Sequence, residues 1–144
     1  MKKIIKFNNI PKIININDIK RLISIFVKNE GFGIKKIEYN FVSEDRMLKL
    51  NTKYLKHKTE TDIITFDYSK SKKIQAEMHL CFSVIERNAK ENMQSPVNEM
   101  VRVIIHGLLH CMGYNDKNNA DRELMRKKED SFLKMFHVKQ FNNV

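Results

Sequence analysis

Ser95-Pro96-Val97-Asn98-Glu99-Met100-Val101-Arg102-Val103-Ile104-Ile105-His106-Gly107-Leu108-Leu109-His110-Cys111-Met112-Gly113-Tyr114-Asn115-Asp116 reads as a helix with both ends marked. The Ser95 hydroxyl can accept from an otherwise unpaired amide, and Pro96 suits the first helical position, where no N–H is needed. Glu99 complements the positive end of the helix dipole. At the other end Gly113 suits a left-handed residue just past the last turn, so the helix should stop near Met112.

Upstream of this helix, Ser83 opens another that runs to about Met93, and two strands precede it. Ile63 to Tyr68 is β-branched and aromatic, while Ala76, Met78, Leu80 and Phe82 alternate after a Ser/Lys turn, so an antiparallel pair is predicted. Earlier still, Ser43 offers an N-cap to a helix carrying Met47, Leu50 and Tyr54, and Ile37, Tyr39 and Phe41 alternate as a half-buried strand does. Asp18 to Glu30 places Ile19, Leu22, Ile23, Phe26 and Val27 at helical spacing before Gly31, and Lys3 to Asn8 forms a first strand. Downstream, Asp121 to Phe136 closes the chain as a helix with Leu124, Phe132 and Met135 or Phe136 facing inward. The predicted class is α+β: a small mixed four-stranded sheet covered by several helices. Nothing reads as a linker or a repeat, so residues 1–144 are expected to form a single domain.

With 42% hydrophobic and 31% charged residues, and only 4 Gly and 2 Pro, the composition excludes collagen-like, low-complexity and wholly disordered chains. The longest apolar runs, such as Val103 to Ile105 and Leu108 to Leu109, fall far short of the roughly 20 residues a membrane span requires. Met1-Lys2-Lys3-Ile4-Ile5-Lys6-Phe7 has basic residues but neither an apolar stretch nor a small-residue cleavage site, so no secretory signal is expected and the predicted location is cytoplasmic. Cys81 and Cys111 are too few for a disulfide framework and too far apart for a zinc knuckle, which fits a reducing compartment. The formal net charge of +10 points to polyanionic partners, nucleic acid first, although a chain crowded with Ile, Lys and Asn acquires such an excess from composition alone.

His106 and His110 are four apart, so both imidazoles leave one face of the helix at neighbouring turns, the spacing that lets two nitrogens reach one metal ion. Gly113 lets the chain reverse, and Asp116, six residues after His110, can return a carboxylate to the same ion. Three protein ligands leave one tetrahedral position open, which separates catalytic from structural zinc. Histidines on an apolar helix are often plain core or surface residues, and it is the turn glycine and the placed acid that favour ligation. Oxygen donors dominate magnesium and calcium sites, whereas two imidazoles and one carboxylate suit Zn2+, one per chain, with nickel, cobalt and iron as alternatives. Cys111 neighbours a ligand but points roughly 100° away from His110 around the helix, which favours packing. His57, His79 and His137 have no partner at ligand spacing. The pattern His-x-x-x-His-x-x-Gly-x-x-Asp also resembles the metzincin zinc peptidases, but the Glu that follows their first His as general base is here Gly107.

His106-Gly107-Leu108-Leu109-His110-Cys111-Met112-Gly113 resembles, throughout, the zinc-binding helix of the YbeY family of bacterial endoribonucleases, the ribosomal RNA maturation factors. Leu50-Asn51-Thr52-Lys53-Tyr54 and Thr61-Asp62-Ile63-Ile64-Thr65-Phe66 resemble that family's Leu-Asn-x-x-Tyr and Thr-Asp-Val-Leu-Ser-Phe segments in order and spacing, so the resemblance covers nearly the whole chain. It implies a zinc-dependent, single-strand-specific endoribonuclease that matures the 3′ end of small-subunit (16S) rRNA and serves ribosome quality control. The implied partners are ribosomal RNA and the ribosome or its proteins, with no DNA and no membrane.

Two departures bear on the implied site. The family usually continues Gly-x-Asp-His with His as third ligand, and here Asn115-Asp116 occupies those places, so Asp116 inherits the ligand position by register. The family's functional Arg, directly after its Tyr, is Leu55. Lys53 and Lys56, on either side of Leu55, are the candidate substrate-binding cations, although a lysine lacks the bidentate fork of an arginine. Asp62 is a candidate to orient a ligand or substrate group, its plainer role being a turn cap before the strand. The alternative function is a metal-binding RNA- or ribosome-associated protein with little nuclease activity, and behind it a metzincin-like metallopeptidase.

Overall fold

β1 (Ile4–Asn8) leads into α1 (Ile16–Asn29), β2 (Gly33–Phe41) and α2 (Glu44–Leu50), which continues as a π-helical turn (Asn51–Leu55). β3 (Ile63–Asp67), β4 (Lys73–Leu80), α3 (Phe82–Glu91), α4 (Pro96–Cys111) and α5 (Asn119–Asn142) follow. The structure, a computed structural model, describes residues 4–55 and 61–142, apart from the side chains of residues 55 and 139–142. Lys56 and His57 therefore lie outside the described residues.

The sheet order is β1-β2-β4-β3, with β1–β2 and β2–β4 parallel and β3–β4 antiparallel. This is the mixed four-stranded α+β arrangement expected from the sequence. Ile37, Tyr39 and Phe41 of β2 pair with Ala76, Met78 and Leu80 of β4, and all six are buried. Their sequence neighbours Glu38, Asn40, Glu77 and His79 fall on the opposite face, because successive strand residues alternate sides. Parallel neighbours need a crossover, and α1 supplies the one between β1 and β2. Its N-cap is Asn15, whose side chain accepts from the Asp18 amide, so the helix begins two residues ahead of the predicted start.

α4 lies at the centre. Met100, Val101, Ile104, Ile105, Leu108 and Leu109 are completely buried against β3, β4, α3 and α5. Between Glu99 and Cys111 the residues that escape burial are Arg102, His106 and His110, one stripe at four-residue spacing. α5 closes over this side, packing Phe132 edge-on against Phe26 of α1 with ring centroids 5.4 Å apart. The inward stripe of α5 differs from the expected one: Leu124 is 46% exposed while Met125 is 2% exposed. At 100° per residue Met125 lies roughly 20° from Phe132 around the helix and Leu124 roughly 80°, so Met125 shares the buried phase. Among the described residues no helix is long and apolar enough to cross a membrane.

Candidate metal centre

The two imidazoles reach the surface because α4 is held so tightly on its other sides. Gly107, between them, faces the sheet: a Cβ there would stand 2.8 Å from Met78 Sδ, 3.0 Å from Ile63 Cδ1 and 3.2 Å from Thr65 Oγ1. Any side chain at this position would prise the helix off β3 and β4. A glutamate there would enter the sheet contact, so this helix has no room for the carboxylate of the peptidase pattern.

The end of α4 turns as its glycine requires. Gly113 has φ +93°, its amide donates to His110 O at 3.1 Å, and the Tyr114 amide donates to Leu109 O at 3.0 Å. These two bonds are the paired bonds of a Schellman motif, which satisfies the last carbonyls while reversing the chain. The Tyr114 hydroxyl bonds Glu30 at the end of α1, and the same carboxylate takes Lys128 Nζ of α5 at 2.8 Å, so the turn is fixed from two sides. Arg122 donates to the backbone carbonyl of Asp116 at 3.2 Å.

So held, the three candidate ligand atoms converge. His106 Nε2 lies 3.0 Å from His110 Nε2 and 3.6 Å from Asp116 Oδ2, and His110 Nε2 lies 3.7 Å from the same oxygen. Tetrahedral zinc with bonds of about 2.0–2.1 Å spaces its donors about 3.3 Å apart. The triangle brackets that spacing, and among the described residues these three form the group of His, Cys, Asp and Glu that can hold a metal ion.

Behind the triangle stands a residue the sequence reading missed. Glu129 of α5 is 5% exposed, and its Oε2 lies 2.6 Å from His106 Nδ1. A carboxylate only accepts, so Nδ1 carries the proton and Nε2 turns its lone pair toward Asp116 and His110. The other oxygen of Glu129 accepts from Arg102 Nη1 at 2.8 Å, and Arg102 Nη2 donates to Asp130 at 2.7 Å. A buried carboxylate is thereby paired on both sides, as its desolvation demands. Burial opposes protonation of His106, but the Glu129 hydrogen bond and the charges of Glu129, Asp116 and Asp62 outweigh it and the pKa is raised. For His110, burial and the neighbouring His106 lower the pKa against the pull of Asp116.

The triangle opens on a cleft of about 650 Å³ between the free edge of β3 and α5, lined among others by Asp62, Glu99, Arg102, Arg122 and Arg126. Asp62 is half-buried, and burial lifts its carboxyl above the usual range despite bonds to its own and the Ile63 backbone. Burial lifts Glu99 likewise, against the attraction of Arg102. The cleft thus gathers His106, His110, Asp116 and Asp62. Lys53 is not among its lining residues: it is exposed, with Nζ 5.1 Å from the Tyr54 ring centroid. Cys111 is buried, and burial together with Asp67 pushes its thiol up to about 12, which keeps it neutral and apart from the ligand set. Asp67 lines the same cleft.

Comparison with known proteins follows the same lines. The sequence model of the family described as Endoribonuclease YbeY matches residues 5–137. Similar proteins include the Endoribonuclease YbeY of Flavobacterium johnsoniae, 45% identical over 78% of this chain and 78% of the relative. That of Flavobacterium psychrophilum is 42% identical over 87% of this chain and 86% of the relative. Among solved structures, the solution structure of TM1509 from Thermotoga maritima is 26% identical, with a TM-score of 0.70 over 96% of this chain and 93% of that one.

Proposed function

The chain belongs to the endoribonuclease YbeY family, and on that premise we propose that it is a zinc-dependent, single-strand-specific endoribonuclease of ribosomal RNA. Its proposed task is maturation of the 3′ end of small-subunit rRNA and ribosome quality control, in the cytoplasm, by a single domain carrying one Zn2+. The observation that carries the reading is the convergence of His106, His110 and Asp116 at the end of an open cleft, with Glu129 fixing one imidazole from behind.

A zinc ion held there would supply Lewis acidity toward a phosphoryl oxygen and a lowered pKa for attacking water. The chain's own residues do the rest. His106, His110 and Asp116 present three donors and leave the cleft side of the triangle open. Glu129 keeps His106 in the Nδ1–H tautomer, and Arg102 keeps Glu129 in place. Asp62 and Glu99, whose carboxyls burial has shifted upward, are the cleft groups placed to hold or release a proton. The basic excess outside the cleft attracts the phosphate backbone, a term that weakens with salt.

Purified protein should cleave single-stranded RNA only with its metal in place, so chelator and His106→Ala should each abolish the products, and elemental analysis of protein purified without added metal should return one zinc per chain. Cleavage indifferent to chelator would refute the reading. A second reading, a metal-binding RNA- or ribosome-associated protein with little nuclease activity, is favoured by Leu55 standing where the family carries its functional Arg. Equal RNA binding without cleavage would select it. Casein degradation would instead select the peptidase.

A further inference from the structure

Among the described residues three guanidiniums line the cleft, and two are already committed. Arg102 is held by Glu129 and Asp130. Arg122 donates to the Asp116 carbonyl and bonds Asn119 Oδ1, pinning the loop that returns the third ligand. Arg126 differs. It is exposed and, among the described residues, makes no hydrogen bond or ion pair; Glu99, across the cleft, acts on it through space. Arg122, Arg126 and Glu129 follow at helical spacing on α5, so the guanidinium of Arg126 belongs to the face that carries the carboxylate behind His106.

The charge of the cleft gives that guanidinium a purpose. Among the described residues Asp62, Asp67, Glu99, Asp116 and Glu129 all line it, so beyond any metal at the triangle an entering polyanion is served by a cation that no carboxylate has already paired. Lys53, expected to serve, lies outside the lining. We propose that Arg126 holds a phosphate of the RNA strand in the cleft, its planar fork taking two non-bridging oxygens. This rests on the RNA-cleaving reading above. It adds a substrate cation on the face of α5, whereas Lys56, the other lysine expected to serve, lies outside the described residues.

The test compares Arg126→Ala, Arg126→Lys and the neighbouring Lys127→Ala, which lines an adjacent groove and not this cleft. Cleavage is followed on fluorescent single-stranded RNA, and binding by anisotropy of the same RNA with chelator present to prevent cleavage, across a salt series. Loss of one charge-assisted phosphate contact should lower kcat/KM about 10- to 100-fold in Arg126→Ala. It should also flatten the salt slope of binding by about 0.7. Arg126→Lys should recover part of the activity, as should added guanidinium with Arg126→Ala, while Lys127→Ala stays close to the parent. Zinc content and Tm should be unchanged in all three, which a structural role for Arg126 would not permit. If the parent cleaves RNA and Arg126→Ala matches Lys127→Ala in both rate and slope, the assignment is overturned alone. If the parent neither binds nor cleaves RNA, the assignment falls together with the reading beneath it.

Discussion

Glu129→Gln isolates the role of the carboxylate behind His106. Glutamine keeps the size of the side chain but has a single acceptor, where Glu129 offers one oxygen to His106 Nδ1 at 2.6 Å and the other to Arg102 at 2.8 Å. If the amide oxygen stays with Arg102, its NH2 faces Nδ1 and drives the imidazole toward the Nε2–H tautomer, which removes the lone pair from the triangle. Loss of such an orienting partner typically costs about 10- to 100-fold in metal affinity, or about 1.4–2.7 kcal/mol. At free zinc well above Kd the ligand-induced stabilisation falls by the same amount. With roughly 3–4 °C of Tm per kcal/mol for a domain of this size, the rise in Tm on adding zinc should be smaller by about 4–10 °C. Thermal unfolding with and without zinc reads this directly, competition against a chromophoric chelator reads the affinity, and Asp130→Asn, which touches Arg102 but not His106, serves as control. Equal zinc-induced shifts and equal affinities in parent and Glu129→Gln would refute the orienting role.

Three further outcomes are expected. Met125→Ala should destabilise by about 2–5 kcal/mol and Leu124→Ala by roughly 0.5 kcal/mol or less, because one is 2% and the other 46% exposed; urea midpoints that ranked them in the opposite order would contradict the phase of α5. Cys111, pushed up to about 12, should be almost wholly neutral at pH 8 and resist alkylation until the protein is unfolded; labelling at the rate of a free thiol in the native protein would show the burial to be wrong. For Asp62, a raised carboxyl pKa means that the folded state favours the protonated form, so ionisation costs stability above the ordinary carboxylate range and nothing well below it. Metal-free Asp62→Asn should therefore exceed the parent in stability at pH 7 and lose that advantage below about pH 4; a less stable variant at pH 7 would reverse the sign.

Much of the fold was legible because its signals are local. Ser43 and Ser95 accept from the amides three residues on, as their types and positions suggested, and the alternation of Ile37, Tyr39 and Phe41 maps directly onto buried positions. Besides shifted helix starts at α1 and α3, two differences are of phase. The sequence pattern points Leu124 inward where the structure buries its neighbour Met125, since both are apolar and a short helical window tolerates either. Tyr54 was grouped with Met47 and Leu50, but the π-helical turn from Asn51 widens the spiral, and the ring comes out 51% exposed, edge-on to Phe66. A side-chain period carries no mark of such an interruption.

The site divides along the same line. His106, His110 and Asp116 sit within eleven residues of one helix and its turn, so spacing alone could bring them together. Arg102 shares the helical stripe of His106 and His110, but Glu129 and Arg126 meet the site only through the way α5 crosses α4, which no local pattern encodes. A partial signal existed: Met125, Glu129, Phe132 and Phe136 share one helical face, and an acid on an apolar stripe must find a partner or lose its charge. Net charge was the least informative feature. Among the described residues the cleft of this +10 chain is lined by five carboxylates and three guanidiniums, so the net charge does not describe the surface the site presents. A divalent cation, if held by His106, His110 and Asp116 as proposed, would offset the acidic excess of that lining, which is the electrostatic condition an entering polyanion requires.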